Sequence, residues 1–106
     1  MRATLQTLEQ TIRQRRSTDP TTSYVAKLSA RGRAKIAQKV GEEAVETVIA
    51  AMADDKAGVV GESADLLFHL MILLADLDLP FDAVLDELDR REGLSGIAEK
   101  AARPAD

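Results

Sequence analysis

The chain has 106 residues, 45% of them hydrophobic, which is enough for one hydrophobic core but not for two, so we expect a single domain over residues 1–106. It has no cysteine, no secretory signal pattern and no apolar run long enough to span a bilayer, which excludes disulfides and thiolate metal sites and predicts a soluble, cytoplasmic protein without a membrane partner. The net charge is −4, with +7 on residues 1–41 and −11 on residues 42–106, and three aromatic residues are too few for a surface that stacks nucleic-acid bases.

Apolar residues recur at helical spacing from the N-terminus onward, and no strand pattern competes with them. Residues 4–16 form a predicted amphipathic helix with Leu5, Leu8 and Ile12 on its inner face. The Ser/Thr/Asp/Pro cluster at residues 17–23 interrupts it. Residues 24–33 are predicted to be a short helix followed by a loop.

Two long helices follow, with a turn at residues 54–58 between them. The first covers residues 34–53. The second runs from Val59 or Val60 to Asp76, and its regular part is expected to start near Gly61 because two glycines favour a frayed start. The first has one apolar stripe, formed by Ile36, Val40, Ala44, Val48 and Met52. The second is apolar in nearly every direction. We therefore expect that one chain cannot cover it and that a homodimer completes the core.

A last helix is predicted to start at Pro80, a favoured first-turn residue, and to end at Gly93. Its predicted core stripe contains Phe81, Val84, Leu85 and Leu88. Residues 95–106 are expected to be a loose, charged tail. The predicted fold is all-α, an antiparallel helical bundle of about four to five helices completed by homodimerisation.

Acidic residues interrupt both long helices, where a plain core helix would have none. The first has Glu42, Glu43 and Glu46 on one face together with Lys35 and Lys39; in the second, Glu62, Asp65 and His69 share one narrow stripe. In an antiparallel pair, two acids from each helix would face each other. Carboxylates that converge in this way repel unless cations neutralise them, and hard oxygen ligands favour Mg²⁺, with Mn²⁺ as a substitute. Nearby cations would suit a polyphosphate bound together with its metal ion.

Simpler explanations exist for each of these residues. For the acids of the first helix the alternative is a solvated face paired with Lys35 and Lys39. For Glu62 and Asp65 it is exposed acids near a helix start. His69 fits a satisfied core histidine, or one that holds a ligating carboxylate in place, better than a metal ligand. Asp76 fits a cap or solvated acid. A di-iron site is disfavoured, because no Glu precedes His69 by three residues and there is no second histidine.

Four segments carry a resemblance to a known family: SYVAKL at residues 23–28, KVGEEAVETVIAA at 39–51, ESADLLFHL at 62–70 and GLSGIAEKAAR at 93–103. They closely resemble the phosphoribosyl-ATP pyrophosphatases of histidine biosynthesis, which belong with the all-α nucleoside triphosphate pyrophosphohydrolases of the MazG and dimeric dUTPase type. The departures are Phe68, where tyrosine is usual, and Gly61, where a larger residue is usual.

The resemblance implies Mg²⁺-dependent hydrolysis of 1-(5-phosphoribosyl)-ATP to phosphoribosyl-AMP and pyrophosphate, the second step of histidine biosynthesis. The family signature E-x-x-E followed by E-x-x-D falls on Glu43, Glu46, Glu62 and Asp65, the expected metal ligands. Direct attack by water is expected, with Glu42, Glu43 or Glu46 as the catalytic base.

The substrate's phosphates are expected to bind basic residues of the N-terminal half. The candidates are Lys27, Arg31, Lys35 and Lys39, with Arg33, Lys100 and Arg103 as weaker ones, and Ser23 and Tyr24 enter through the resemblance alone. For any one of these lysines and arginines taken alone, ordinary solvated charge is the better explanation.

Two other functions remain open at this point. One is a house-cleaning pyrophosphohydrolase that acts on other nucleoside triphosphates with the same fold and metal site; the segments at residues 23–28 and 93–103 favour the histidine-pathway enzyme over it. The other is a non-catalytic helical dimerisation module whose acids are only surface charge.

Overall fold

Residues 2–92 are described by a computed structural model, and within them the backbone forms five α-helices and no strand. The helices are α1 (Arg2–Arg15), α2 (Tyr24–Ala30), α3 (Arg33–Met52), α4 (Lys56–Asp76) and α5 (Phe81–Arg91). The predicted all-α fold and the order of its elements are confirmed. The predicted tail and the end of the last helix at Gly93 lie outside the described residues.

The antiparallel hairpin of α3 and α4 is the frame of the molecule, and residues 53–55 connect its two helices. Asp54 takes a left-handed conformation, with φ of 55°. The Asp55 carboxylate then caps α4 by accepting the N–H of Gly58 at 2.9 Å. A Cβ atom on Gly58 would lie 2.3 Å from Oδ2 of that carboxylate, so a larger residue there would displace the capping side chain of Asp55.

The predicted start of α4 near Gly61 is therefore wrong, because the helix begins at Lys56. Neither glycine marks a frayed start: the N–H of Gly58 binds the capping carboxylate, and Gly61 lies inside the helix with open space beside it.

The core lies at one end of this hairpin, where α1 and α2 pack on the N-terminal part of α3 and the C-terminal part of α4. Its buried members are Ile12, Val25, Leu28, Ile36, Met71, Ile72 and Ala75, with Leu5 and Leu8 of α1 partly buried against them. The predicted inner face of α1 is confirmed. By length and composition alone, α4 could cross a membrane. This is weak evidence for a membrane span, because α4 buries three side chains in this core.

The other end of the hairpin is not covered within the described residues. Val48 and Met52, the last two residues of the predicted apolar stripe of α3, are 60% and 83% exposed. The helices α1 and α2 cover Ile36 but do not extend along the whole of α3. Val45 and Ile49 are exposed beside them, and Val60 and Leu67 are exposed on α4.

Contacts from α1 hold the start of α5. Pro80 is the N-cap of this helix rather than a residue of its first turn, and it offers no capping side chain. Glu9 of α1 takes that role by accepting the N–H of Phe81 at 2.7 Å. Arg13 donates to the carbonyl of Leu79 at 3.1 Å. Leu88, predicted as core, is 56% exposed, because no described element packs over that side of α5.

Candidate active site

Acids from α3 and α4 converge near the middle of the hairpin. One carboxylate oxygen each from Glu43, Glu62 and Asp65 lies within 4.8 Å of the others. Glu43 is buried, Glu62 is half-buried and Asp65 is exposed. Glu46 is the exposed fourth acid, outside that group of three, and it interacts with the carboxyl group of Glu62. The two i, i+3 pairs read from the sequence therefore face each other across the hairpin.

The convergence of these acids makes full ionisation costly. A hydrogen bond with Glu46, followed by burial and by a hydrogen bond with Glu43, raises the pKa of Glu62 from 4.5 to about 7. One buried oxygen of Glu43 and one of Glu62, Oε2 in each, have no hydrogen-bond partner within the described chain. Buried carboxylate oxygens without donors are what a hard divalent cation would satisfy, so the residues present fit a metal ion of the Mg²⁺ or Mn²⁺ type.

The raised pKa of Glu62 predicts how stability changes with pH when metal is absent. Its folded-state pKa of about 7 is above the 4.5 of an ordinary glutamate, so the folded protein holds a proton that the unfolded chain releases between these values. We expect the free energy of unfolding in EDTA to fall as the pH rises from about 4.5 to 7. Urea titrations of wild type and Glu62→Gln across this range measure the effect. An equal slope in both proteins would contradict it.

A groove lined by basic side chains adjoins the acids. It has a volume of about 270 Å³ and is lined by Tyr24, Lys27, Leu28, Arg31, Lys35, Lys39 and Glu42. All four cations predicted to bind phosphates thus line one groove, contributed by α2, the residue after it, and the first half of α3. Close packing of four positive charges favours an anionic ligand that carries several charges.

Lys39 lies where the groove meets the acids. Its Nζ is 3.2 Å from Oε1 of Glu42 and 3.8 Å from Oε1 of Glu43. The hydrogen bond to Glu42 raises the pKa of Lys39. Glu42 also accepts a hydrogen bond from the Gln38 amide at 2.7 Å. The hydrogen bonds from Gln38 and, to a smaller extent, from Lys39 lower the pKa of Glu42. Lys35 makes no direct ion pair among the described residues, although its charge also helps to lower the pKa of Glu42.

Tyr24 links the groove to the acid-bearing helix through His69, which is 5% exposed. Nδ1 of His69 lies 2.7 Å from the carbonyl oxygen of Asp65, which can only accept, so this nitrogen carries the proton. In the neutral ring Nε2 is then the acceptor, and the Tyr24 hydroxyl donates to it at 2.8 Å. The Tyr24 ring also stacks on Phe68, with centroids 6.2 Å apart.

His69 therefore contacts the backbone carbonyl, rather than the carboxylate, of Asp65. It is buried, and each of its ring nitrogens has a hydrogen-bond partner. The hydrogen bond between Tyr24 and His69 could not be predicted from the sequence, because no spacing rule relates side chains 45 positions apart.

Tyr24→Phe is expected to lower the free energy of unfolding by about 1 kcal/mol, since it keeps the ring on Phe68 but removes the donor to a buried histidine nitrogen. Chemical denaturation measures this. Thr22→Val is a suitable control, because it removes an exposed hydroxyl whose acceptor is a nearby loop carbonyl. Equal midpoints for Tyr24→Phe and wild type would contradict the link.

Several weaker candidates are engaged elsewhere. Arg33 donates to the Asp76 carboxylate at 2.7 Å, so Arg33 does not line the groove and Asp76 is an ion-pair partner rather than a cap or solvated acid. Ser23 caps α2 by accepting the N–H of Ala26 at 3.2 Å. Lys100 and Arg103 lie outside the described residues.

Comparison with known proteins gives one consistent result. The sequence model of the phosphoribosyl-ATP pyrophosphohydrolase family matches residues 5–92. A phosphoribosyl-ATP pyrophosphatase of Rhizorhabdus wittichii is 70% identical over 104 residues, 98% of each chain. Proteins of the same name from Novosphingobium aromaticivorans and Zymomonas mobilis are 68% and 60% identical, over 91% and 95% of this chain and 90% and 94% of their own lengths.

Proposed function

The chain belongs to the phosphoribosyl-ATP pyrophosphohydrolase family, and on that premise we propose that it hydrolyses phosphoribosyl-ATP to phosphoribosyl-AMP and pyrophosphate in histidine biosynthesis. The observation that carries the proposal is the junction of the acid cluster with the basic groove at Lys39. A metal-bound polyphosphate needs both surfaces at once. A dimerisation module would need neither, and like charges that converge on a half-buried spot would only destabilise it.

Glu43, Glu46, Glu62 and Asp65 would hold the metal ion, with Mg²⁺ as the expected ion and Mn²⁺ as a substitute. The two unpartnered buried oxygens of Glu43 and Glu62 support this assignment. The ion, when bound, neutralises phosphate charge and lowers the pKa of a water molecule. The acids in turn must be ionised to hold it, so the raised pKa of Glu62 predicts that metal binding releases a proton near neutral pH.

The chemical step needs an acceptor for the proton of water. The water oxygen bonds to phosphorus, the phosphoanhydride P–O bond breaks, and pyrophosphate leaves. Of the three acids predicted as catalytic, Glu42 accepts hydrogen bonds from Gln38 and Lys39, which makes it a weaker base. Glu46 is exposed and lies outside the group of three converging acids, so among the proposed ligands it is the one that also accepts the proton.

The basic groove binds the phosphates through Lys27, Arg31, Lys35 and Lys39, and Tyr24 forms part of its wall. The negative charge of the substrate would then be neutralised by two sets of partners, the basic side chains of the groove and a metal ion at the acids. Glu42, on the groove wall, accepts a hydrogen bond from Lys39.

A second copy of this chain covers the exposed apolar face of the hairpin, so the working form is a homodimer. This face consists of Val45, Val48, Ile49, Met52, Val60 and Leu67. Contiguous large apolar side chains at such exposure mark an interaction surface. The enzyme is soluble and cytoplasmic, with no membrane or nucleic-acid partner.

The direct test incubates purified protein with phosphoribosyl-ATP, ATP, dUTP and dCTP, each with Mg²⁺, and measures pyrophosphate. Turnover of phosphoribosyl-ATP alone is expected, with EDTA abolishing it and Mg²⁺ or Mn²⁺ restoring it. Hydrolysis of dUTP or dCTP without hydrolysis of phosphoribosyl-ATP would establish the house-cleaning activity instead. Absence of pyrophosphate from every nucleotide would refute catalysis.

A further inference from the structure

Lys39 contacts both the basic groove and the acid cluster, and its predicted role in phosphate binding accounts only for the first of these contacts. The lysine lines the basic groove, yet its Nζ is within 3.8 Å of a carboxylate oxygen of Glu43, one of the three clustered acids. The other oxygen of Glu43 is buried and has no partner within the described chain. Within residues 2–92, Lys39 is the basic side chain that forms an ion pair with one of the three clustered acids.

Building on the proposed function, we propose that Lys39 exchanges partners: its ammonium group pairs with Glu42 and Glu43 while the metal ion is absent, and it transfers to a substrate phosphate when the metal binds. Two cations close to Glu43 repel each other, so an incoming divalent ion weakens the hold of Glu43 on Lys39. The groove offers the freed ammonium group a phosphate as its next partner.

The exchange makes metal and phosphate assist each other. A phosphate that attracts Lys39 removes a competing positive charge from Glu43, and a metal ion at Glu43 releases a donor for the phosphate. Such coupling is reciprocal by thermodynamic necessity. It predicts opposite signs for the two affinities when Lys39 loses its charge: the metal binds more tightly and the substrate binds more weakly.

Lys35 provides a matched comparison. It lies one helical turn before Lys39, lines the same groove and carries the same charge, but it makes no direct ion pair with the acids among the described residues. Lys39→Met and Lys35→Met therefore remove equal charge from one groove and differ in contact with Glu43. Lys39→Arg keeps the charge and serves as the conservative variant.

The experiment measures Mn²⁺ affinity by calorimetry without substrate at about pH 8, and KM for phosphoribosyl-ATP separately, on folded protein verified by circular dichroism. We expect Lys39→Met to tighten Mn²⁺ binding by about five- to tenfold and Lys35→Met by less than about twofold, because the charge effect falls with distance and solvent screening. Both variants should raise KM, and Lys39→Arg should leave Mn²⁺ affinity within about twofold of wild type.

Equal Mn²⁺ affinities for Lys39→Met and Lys35→Met, or weaker binding by Lys39→Met, would overturn the exchange while leaving the proposed function intact. An unchanged KM in Lys39→Met would overturn the transfer to phosphate. Failure of the wild-type protein to bind Mn²⁺ at all would overturn both the exchange and the metal-dependent hydrolysis on which it rests. Should Lys39→Met not fold, Lys39→Gln answers the same question.

Discussion

Glu62→Gln is expected to reduce turnover of phosphoribosyl-ATP by about 10³-fold while leaving the protein folded and, in EDTA above pH 7, more stable than wild type. Loss of turnover follows because a bound metal ion contributes several kcal/mol of transition-state stabilisation, and 1.36 kcal/mol corresponds to a factor of ten in rate. The stability gain follows because the carboxyl group of Glu62 contacts those of Glu46 and Glu43. Replacing it with a neutral amide removes the repulsion among these three ionised carboxylates.

Two measurements made on the same preparation separate these effects: kcat with saturating Mg²⁺, and the thermal midpoint in EDTA. Asp65→Asn should show the same loss of turnover with a smaller gain in stability, because Asp65 is exposed. Asp86→Asn removes an exposed acid of α5 and should match wild type in both assays. Full activity in Glu62→Gln or Asp65→Asn would remove the basis for the metal site.

Ile49→Asp is expected to convert a dimer into a monomer at micromolar concentration, raising the dissociation constant by about 10²- to 10³-fold. Ile49 is 61% exposed in the single chain, so the substitution costs little within one protomer. If a second copy covers it, the new carboxylate is buried without a partner, which costs several kcal/mol. Analytical ultracentrifugation over a concentration series measures the change.

Gln10→Glu is the matched control, since it adds one negative charge to an exposed position on α1, away from the hairpin face. Val60→Asp probes the same face from α4 and should dissociate the dimer as Ile49→Asp does. A wild-type protein that sediments as a monomer, or an Ile49→Asp variant as dimeric as wild type, would show that the exposed face serves another purpose.

Helical periodicity made much of the candidate site accessible from the sequence. Spacing of three residues places two side chains on one helix face whatever the surroundings, so Glu43 with Glu46 and Glu62 with Asp65 could be paired before any coordinates were known. A short turn between two long helices then leaves one antiparallel arrangement. The gathering of the four basic residues along one groove follows partly from the same rule, since Lys35 and Lys39 are one turn apart.

Other features depended on contacts between distant parts of the chain. The Tyr24–His69 hydrogen bond, the Arg33–Asp76 ion pair and the Glu9 cap of α5 each join residues more than 40 positions apart, and local spacing carries no information about such pairs. The raised pKa of Glu62 likewise depends on how closely the two helices approach.

The all-α class and the pair of acids on each long helix could be predicted from residue spacing alone, because the 3.6-residue period is a property of the backbone and not of the fold. The start of α4 and the half of the hairpin that is covered depend instead on contacts between elements. The cap at Gly58 depends on the geometry of one turn, and the exposure of Val48 and Met52 depends on how far α1 and α2 reach along α3. Periodicity identifies the side of a helix that is apolar, but only packing determines what lies against it.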